Sequence, residues 1–149
     1  MKIFISSSWI NKHAVVMLTK LLEVQGHTVD SFVQDNRHEV STKGKNFDPF
    51  KQPIDYEKWV ESAESVIVFQ QDILKIQTTD ILIIIEPAGR DAWAHVGLAY
   101  GKGKPVLGLN SKGREVGLMR RMAVWFEHID RLLEYLNQAE EWRKTPKEE

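Results

Sequence analysis

Asp91 and His95 offer the most direct chemistry in this sequence of 149 residues. Four positions apart, they can share one face of a helix. The carboxylate favours an imidazolium, whereas a helix N-terminus disfavours a cation, so the sequence leaves the charge of the ring open. A neutral imidazole can act as a base or bond a hydroxyl group. Glu86 ends an apolar run, and Gly89–Arg90–Asp91 follows it as a turn. Ser6, Ser7 and Ser8 supply hydroxyls and backbone N–H groups that could bind phosphate or ribose. The other reading of these serines is a helix cap within a loop. No Gly-x-Gly-x-x-Gly pattern or Walker lysine supports a nucleotide loop there. Arg90 could grip a phosphate or simply be solvated. Trp9, beside the serines, could stack on a base. Trp93 could do the same, although its helical spacing favours core packing. His13, His27, His38 and His128 show no metal-ligand spacing with one another or with His95, and no metal is expected.

These groups need a scaffold, and the stretch Thr79–Asn110 describes one. Ile81 to Ile85 is an unbroken apolar run, rich in β-branched residues and closed by Glu86 and Pro87. It reads as a strand buried on both faces. Asp91 is expected to cap a helix with apolar positions at Ala92, Trp93, Val96, Ala99 and Tyr100. Gly101 and Gly103 stop it, and Pro105 to Leu109 begins another buried strand. Strand, helix and strand make a parallel crossover. In such sheets ligands lie beyond the carboxyl ends of the strands, which places Glu86, the Gly89–Asp91 turn and the first helical turn at the site.

The rest of the chain extends the pattern. Ile3 to Ile5 is a first strand, and Ile10 to Gln25 a helix with Ala14, Val15, Leu18, Leu21 and Leu22 inward. Gly26 closes that helix and His27 to Val33 is a second strand. Gln34 to Ile54 is polar, with Phe47 and Phe50 positioned to fold it over the sheet edge as a lid. Asp55 caps a helix with an apolar side at Trp59, Val60, Ala63, Val66, Ile67 and Phe69. Gln70 to Asp72 is expected to break or kink it before a short helical piece through Ile76. After a polar turn at Ser111–Glu115, Val116 to Met122 is a short helix with Arg120 and Arg121 outward. These arginines form a basic patch with Lys112 and Arg114. Val124 to Phe126 is a brief edge strand, and Ile129 to Trp142 a last amphipathic helix. The fold class is α/β, a flavodoxin-like doubly wound sheet of four to five mainly parallel strands flanked by helices. It occupies one domain, 1–143, with a charged tail at 144–149.

Composition sets the function classes. An apolar share of 42% and a charged share of 28% are those of an ordinary globular chain. The net charge of −1 supplies no global basic field for nucleic acid or anionic lipid. No apolar segment approaches the roughly 20 residues of a membrane span. The opening residues run straight into a strand pattern, unlike a signal peptide. The chain has no cysteine, which excludes disulfides and thiolate metal sites and fits a cytoplasmic location.

Two stretches resemble known families. The opening Lys2-Ile-Phe-Ile-Ser-Ser-Ser-Trp9 is similar to the first strand and loop of TIR domains, and Leu118 to Met122 resembles a segment of small bacterial TIR-like proteins. Asp80-Ile-Leu-Ile-Ile-Ile85, followed by Asp91-Ala-Trp-Ala-His-Val-Gly-Leu-Ala-Tyr-Gly-Lys-Gly-Lys-Pro-Val106, resembles nucleoside 2-deoxyribosyltransferases. The resemblance covers most of residues 1–110. It implies cleavage of an N-glycosidic bond in a nucleoside, a nucleotide or NAD. NAD would enter as a substrate, with no cofactor, and the protein would be a homo-oligomer. It also places Asp72 near the sugar. Such cleavage builds oxocarbenium-like charge at C1′, which a carboxylate can stabilise or capture as an ester. The family has a catalytic Glu at the position of His95. This departure makes the site either impaired or that of a non-catalytic nucleotide-binding or TIR-like signalling or interaction module, unless Glu86 at the strand end takes over the carboxylate role.

Overall fold

Residues 1–33, 55–109 and 117–144 are described by the computed structural model. Five strands, β1 (Lys2–Ser7), β2 (Thr28–Ser31), β3 (Ile81–Ile85), β4 (Val106–Leu109) and β5 (Val124–Phe126), form one sheet in the order β2-β1-β3-β4-β5. Every neighbouring pair is parallel. All five residues of β3 are buried, as a central strand covered on both faces requires. Burying one such isoleucine side chain stabilises the fold by about 1.5–3 kcal/mol.

The helices are α1 (Lys12–Val24), α2 (Tyr56–Val60), α3 (Ala63–Thr78), α4 (Arg90–Gly101) and α5 (Ile129–Lys144). Strand alternation sorts the core into two layers. Ile3, Ile5, Ile81, Ile83 and Ile85 face α1 and α5, meeting Val15, Leu18, Leu22, Leu132 and Leu136. Phe4, Leu82 and Ile84 face α3 and α4, meeting Ile76, Val96 and Ala99. The sheet is thus doubly wound and flavodoxin-like, with its order reversing between β1 and β3. This reversal is where a ligand cleft opens in such folds.

Several local expectations need correction. Gln70 to Asp72 do not interrupt the helix, since α3 runs unbroken from Ala63 to Thr78. The break lies earlier, at Glu61 and Ser62, where the Ser62 hydroxyl accepts from Ser65 N and caps the new helix. The apolar stripe expected to face the core is largely outside it. Val60, Val66, Ile67 and Phe69 are exposed, and Ile76 is the buried apolar anchor of α3. Asp91 does not cap α4. Gly89 occupies that position, and Asp91 lies in the first turn. Tyr100 and Leu21, expected inward, are exposed. Arg120, expected outward, turns in. Its guanidinium lies 3.8 Å from the centre of the Trp125 ring and 3.8 Å from Glu86.

Val124 to Phe126 pairs with β4, as expected of a brief edge strand. Asp80 holds the start of the sheet by accepting from Lys2 N at 2.8 Å. The Phe47 and Phe50 lid, His38, the polar turn with Lys112 and Arg114, and the charged tail lie outside the described residues.

Candidate active site

Ser6 is set by two rules. It is two residues beyond Phe4, so alternation turns it towards the α3–α4 layer. Its register opposite Ile84 puts it near the carboxyl end of the sheet. His95 is set by a third rule. On α4, Ala92, Val96 and Ala99 are buried against the sheet, and the neighbouring face carries Asp91, His95 and Leu98 at helical spacing. The two elements meet with Ser6 Oγ 2.9 Å from His95 Nδ1. The Phe4 ring packs edge-on against the imidazole at 5.5 Å. From α3, Asp72 brings a carboxylate oxygen 3.8 Å from His95 Nε2, and both side chains are more than four-fifths buried, at 17% and 18% exposure.

Together these groups line a cavity of about 710 Å³, within the usual range for small-molecule sites. Asp91, Arg90 and Gly89 contribute from the start of α4, and Ser6, Ser7, Ser8 and Trp9 from the end of β1 and its loop. Much of the remaining wall is apolar, with Phe32, Trp59, Phe69 and Leu98 among its residues. Trp9 stands edge-to-face with Phe32 at 4.9 Å, with the Lys12 ammonium 5.9 Å from its ring. A flat, aromatic ligand portion can be sandwiched or edge-packed in such a setting.

Burial pushes the His95 pKa below its ordinary value, and the nearby Asp91 carboxylate pulls it back up without cancelling the effect. Near neutral pH the ring is therefore neutral. The competition left open by the sequence is settled mainly by desolvation.

The serines divide their work. The Ser7 hydroxyl donates to the Ile85 carbonyl at 2.7 Å and accepts from Asn11 Nδ2 at 2.8 Å. Asn11 Nδ2 also donates to the Pro87 carbonyl at 2.8 Å. Ser7 and Asn11 thus tie the β1 loop to the end of β3 and fix the cavity rim. Ser8 supplies the carbonyl that accepts from Asn11 N.

Glu86 and Trp93 are not among the lining residues. Glu86 pairs with Arg120, and the Trp93 ring packs 6.3 Å from Trp125. Trp125 donates from Nε1 to the Arg120 carbonyl and covers Gly108, where an added Cβ would collide with the indole. These residues form a buttress beside the site. Asn11, Phe32, Trp59, Phe69 and Leu98 were not anticipated at the cavity. For Phe69, the exposed apolar stripe on α3 was a usable signal, because an unburied stripe must face something. Among the described residues no three His, Asp or Glu side chains gather as a metal site. No helix among them is long and apolar enough to cross a membrane.

No family model matches this chain, and no curated protein matches it. Solved structures do. A 2-deoxyribosyltransferase from the psychrotolerant bacterium Bacillus psychrosaccharolyticus aligns with a TM-score of 0.60 at 23% identity, covering 89% of this chain and 90% of that one. A CMP N-glycosidase from Clostridium botulinum aligns with a TM-score of 0.58 at 14% identity, covering 92% of this chain and 99% of that one. A conserved protein from Enterococcus faecalis V583 aligns with a TM-score of 0.50 at 16% identity, covering 92% and 74%. This chain thus shares its fold with a 2-deoxyribosyltransferase and a CMP N-glycosidase.

Proposed function

We propose that this chain is a member of the nucleoside 2-deoxyribosyltransferase-like group and cleaves the N-glycosidic bond of a nucleoside, a nucleotide or NAD. The observation that carries this reading is the convergence of Ser6, Asp72 and His95 in one cavity. Cleavage concentrates positive charge at C1′. Asp72 and Asp91 provide negative charge for it, and a neutral His95 does not oppose it. Trp9 and its aromatic neighbours suit the base. Ser8, Arg90 and the N-terminus of α4 suit ribose hydroxyls or a 5′-phosphate. The direct test incubates the protein with the four 2′-deoxynucleosides, CMP and NAD, and resolves free base by liquid chromatography. Base release from at least one is expected, and release from none overturns the assignment.

A second reading is a non-catalytic nucleotide-binding module, TIR-like in its signalling role. Its support is His95, an imidazole where the resemblance implies a carboxylate nucleophile. It requires a rise in Tm with a nucleotide and no free base. For assembly we propose a homo-oligomer, supported by the exposed apolar side chains of Val60, Val66 and Phe69. Light scattering at the monomer mass would remove that proposal.

A further inference from the structure

His95 cannot serve as the carboxylate it replaces. A carboxylate that captures C1′ forms a neutral ester. An imidazole that did so would form a cationic glycosyl-imidazolium, from which neutral imidazole departs readily. The geometry around the ring points to another use. A neutral imidazole carries one N–H, so one nitrogen donates and the other accepts. With Nδ1–H directed to Ser6 Oγ, 2.9 Å away, the Nε2 lone pair faces the Asp72 carboxylate across 3.8 Å. That distance is too long for a direct hydrogen bond. The gap admits a water that would donate one hydrogen to each acceptor.

We propose that the acceptor in this site is water, oriented by Asp72 and deprotonated by His95 Nε2, so that the chain is an N-glycoside hydrolase acting by single displacement rather than a transferase working through a sugar–enzyme ester. This rests on the N-glycosidic reading above. In the step, the water oxygen forms a bond to C1′ while the C1′–N bond breaks. The base leaves with the electron pair and takes a proton from solvent. His95 receives the proton of the attacking water and returns it to solvent, so the sum is glycoside plus water giving free sugar plus base. Ser6 is a positioning residue. It holds Nδ1 and thereby presents Nε2 as the base. The depressed basicity of the buried ring keeps it unprotonated before the step.

The experiment follows β-2′-deoxynucleosides by proton NMR in the presence of a second, free nucleobase. Single displacement by water gives the α-anomer of 2-deoxyribose first and no new nucleoside, and this is the expected result. First formation of the β-anomer, or appearance of a nucleoside of the added base, would show a covalent sugar intermediate on a cavity carboxylate, Asp72 or Asp91. That outcome overturns the inference and leaves the N-glycosidic reading standing. Where the deoxynucleosides are left intact, CMP or NAD is followed in the same way, and absence of base release from all of them removes both. His95→Glu supplies a carboxylate at the same place and should give base exchange that the unaltered protein lacks. Ser6→Ala should lower the hydrolysis rate and leave KM nearly unchanged, with Ser6→Thr restoring much of it.

Discussion

His95 is held between two opposing influences, burial and the Asp91 carboxylate, and burial prevails. Catalysis by the neutral ring should therefore rise with pH through a midpoint below the ordinary imidazole value of about 6.5. A rate profile from pH 4.5 to 8 checks this, and a midpoint above that value contradicts it. The same shift has a consequence for stability. Below the ordinary value an unfolded chain takes up a proton that the folded ring resists, so folded stability falls as the pH drops through that window. Among the described residues, Ser6 of β1, Asp72 of α3 and Asp91 of α4 are the polar and charged groups that act on the ring. His95→Gln removes the imidazole's share of this loss, so the Tm difference between the native chain and the variant should narrow as the solution is acidified. The Ser6–His95 contact joins residues 89 positions apart, and no local pattern could reveal it. Asp91 and His95 were legible as a pair. The Ser6 and Asp72 partners depend on parallel register and on how α3 crosses the sheet.

At the scale of elements, the buttress beside the site is the least forgiving part. Trp125 lies on Gly108, Arg120 stacks on Trp125, and Arg120 reaches Glu86. Gly108→Ala places a methyl group against the indole ring and should cost about 1–3 kcal/mol through overpacking, read as a lower midpoint in urea. Ser62→Ala removes the cap between α2 and α3 and should cost about 1 kcal/mol. The unit from β3 through α4 to β4 was plain in the sequence, because an apolar run, a helical stripe and stopping glycines agree with one another. α3 was misread for a physical reason. Its apolar residues line a cavity and its outer surface, so the usual inference from apolar to buried fails there. Arg120 was misread because Glu86 and Trp125 come from separate elements, and their convergence neutralises a charge that looked like surface.

For the whole molecule, the doubly wound architecture followed from alternating strand and helix patterns, and the observed strand order agrees with it. The cavity's place also followed, since ligands in such sheets gather at the carboxyl ends of the strands. Of its aromatic lining, Trp9 was legible beside the serines, whereas Phe32, Trp59 and Phe69 were hidden because they come from stretches with no shared motif. Whether His95 acts on an N-glycoside bound in this cavity decides the proposed function. The measurement that tests it most directly is the rate of base release by the native chain and by His95→Ala, side by side, over the panel of nucleosides, CMP and NAD. Release by the native chain and a fall of about 10²–10⁴-fold in the variant are expected, as for loss of a general base. Equal rates in the two proteins, or no release by the native chain, would contradict it.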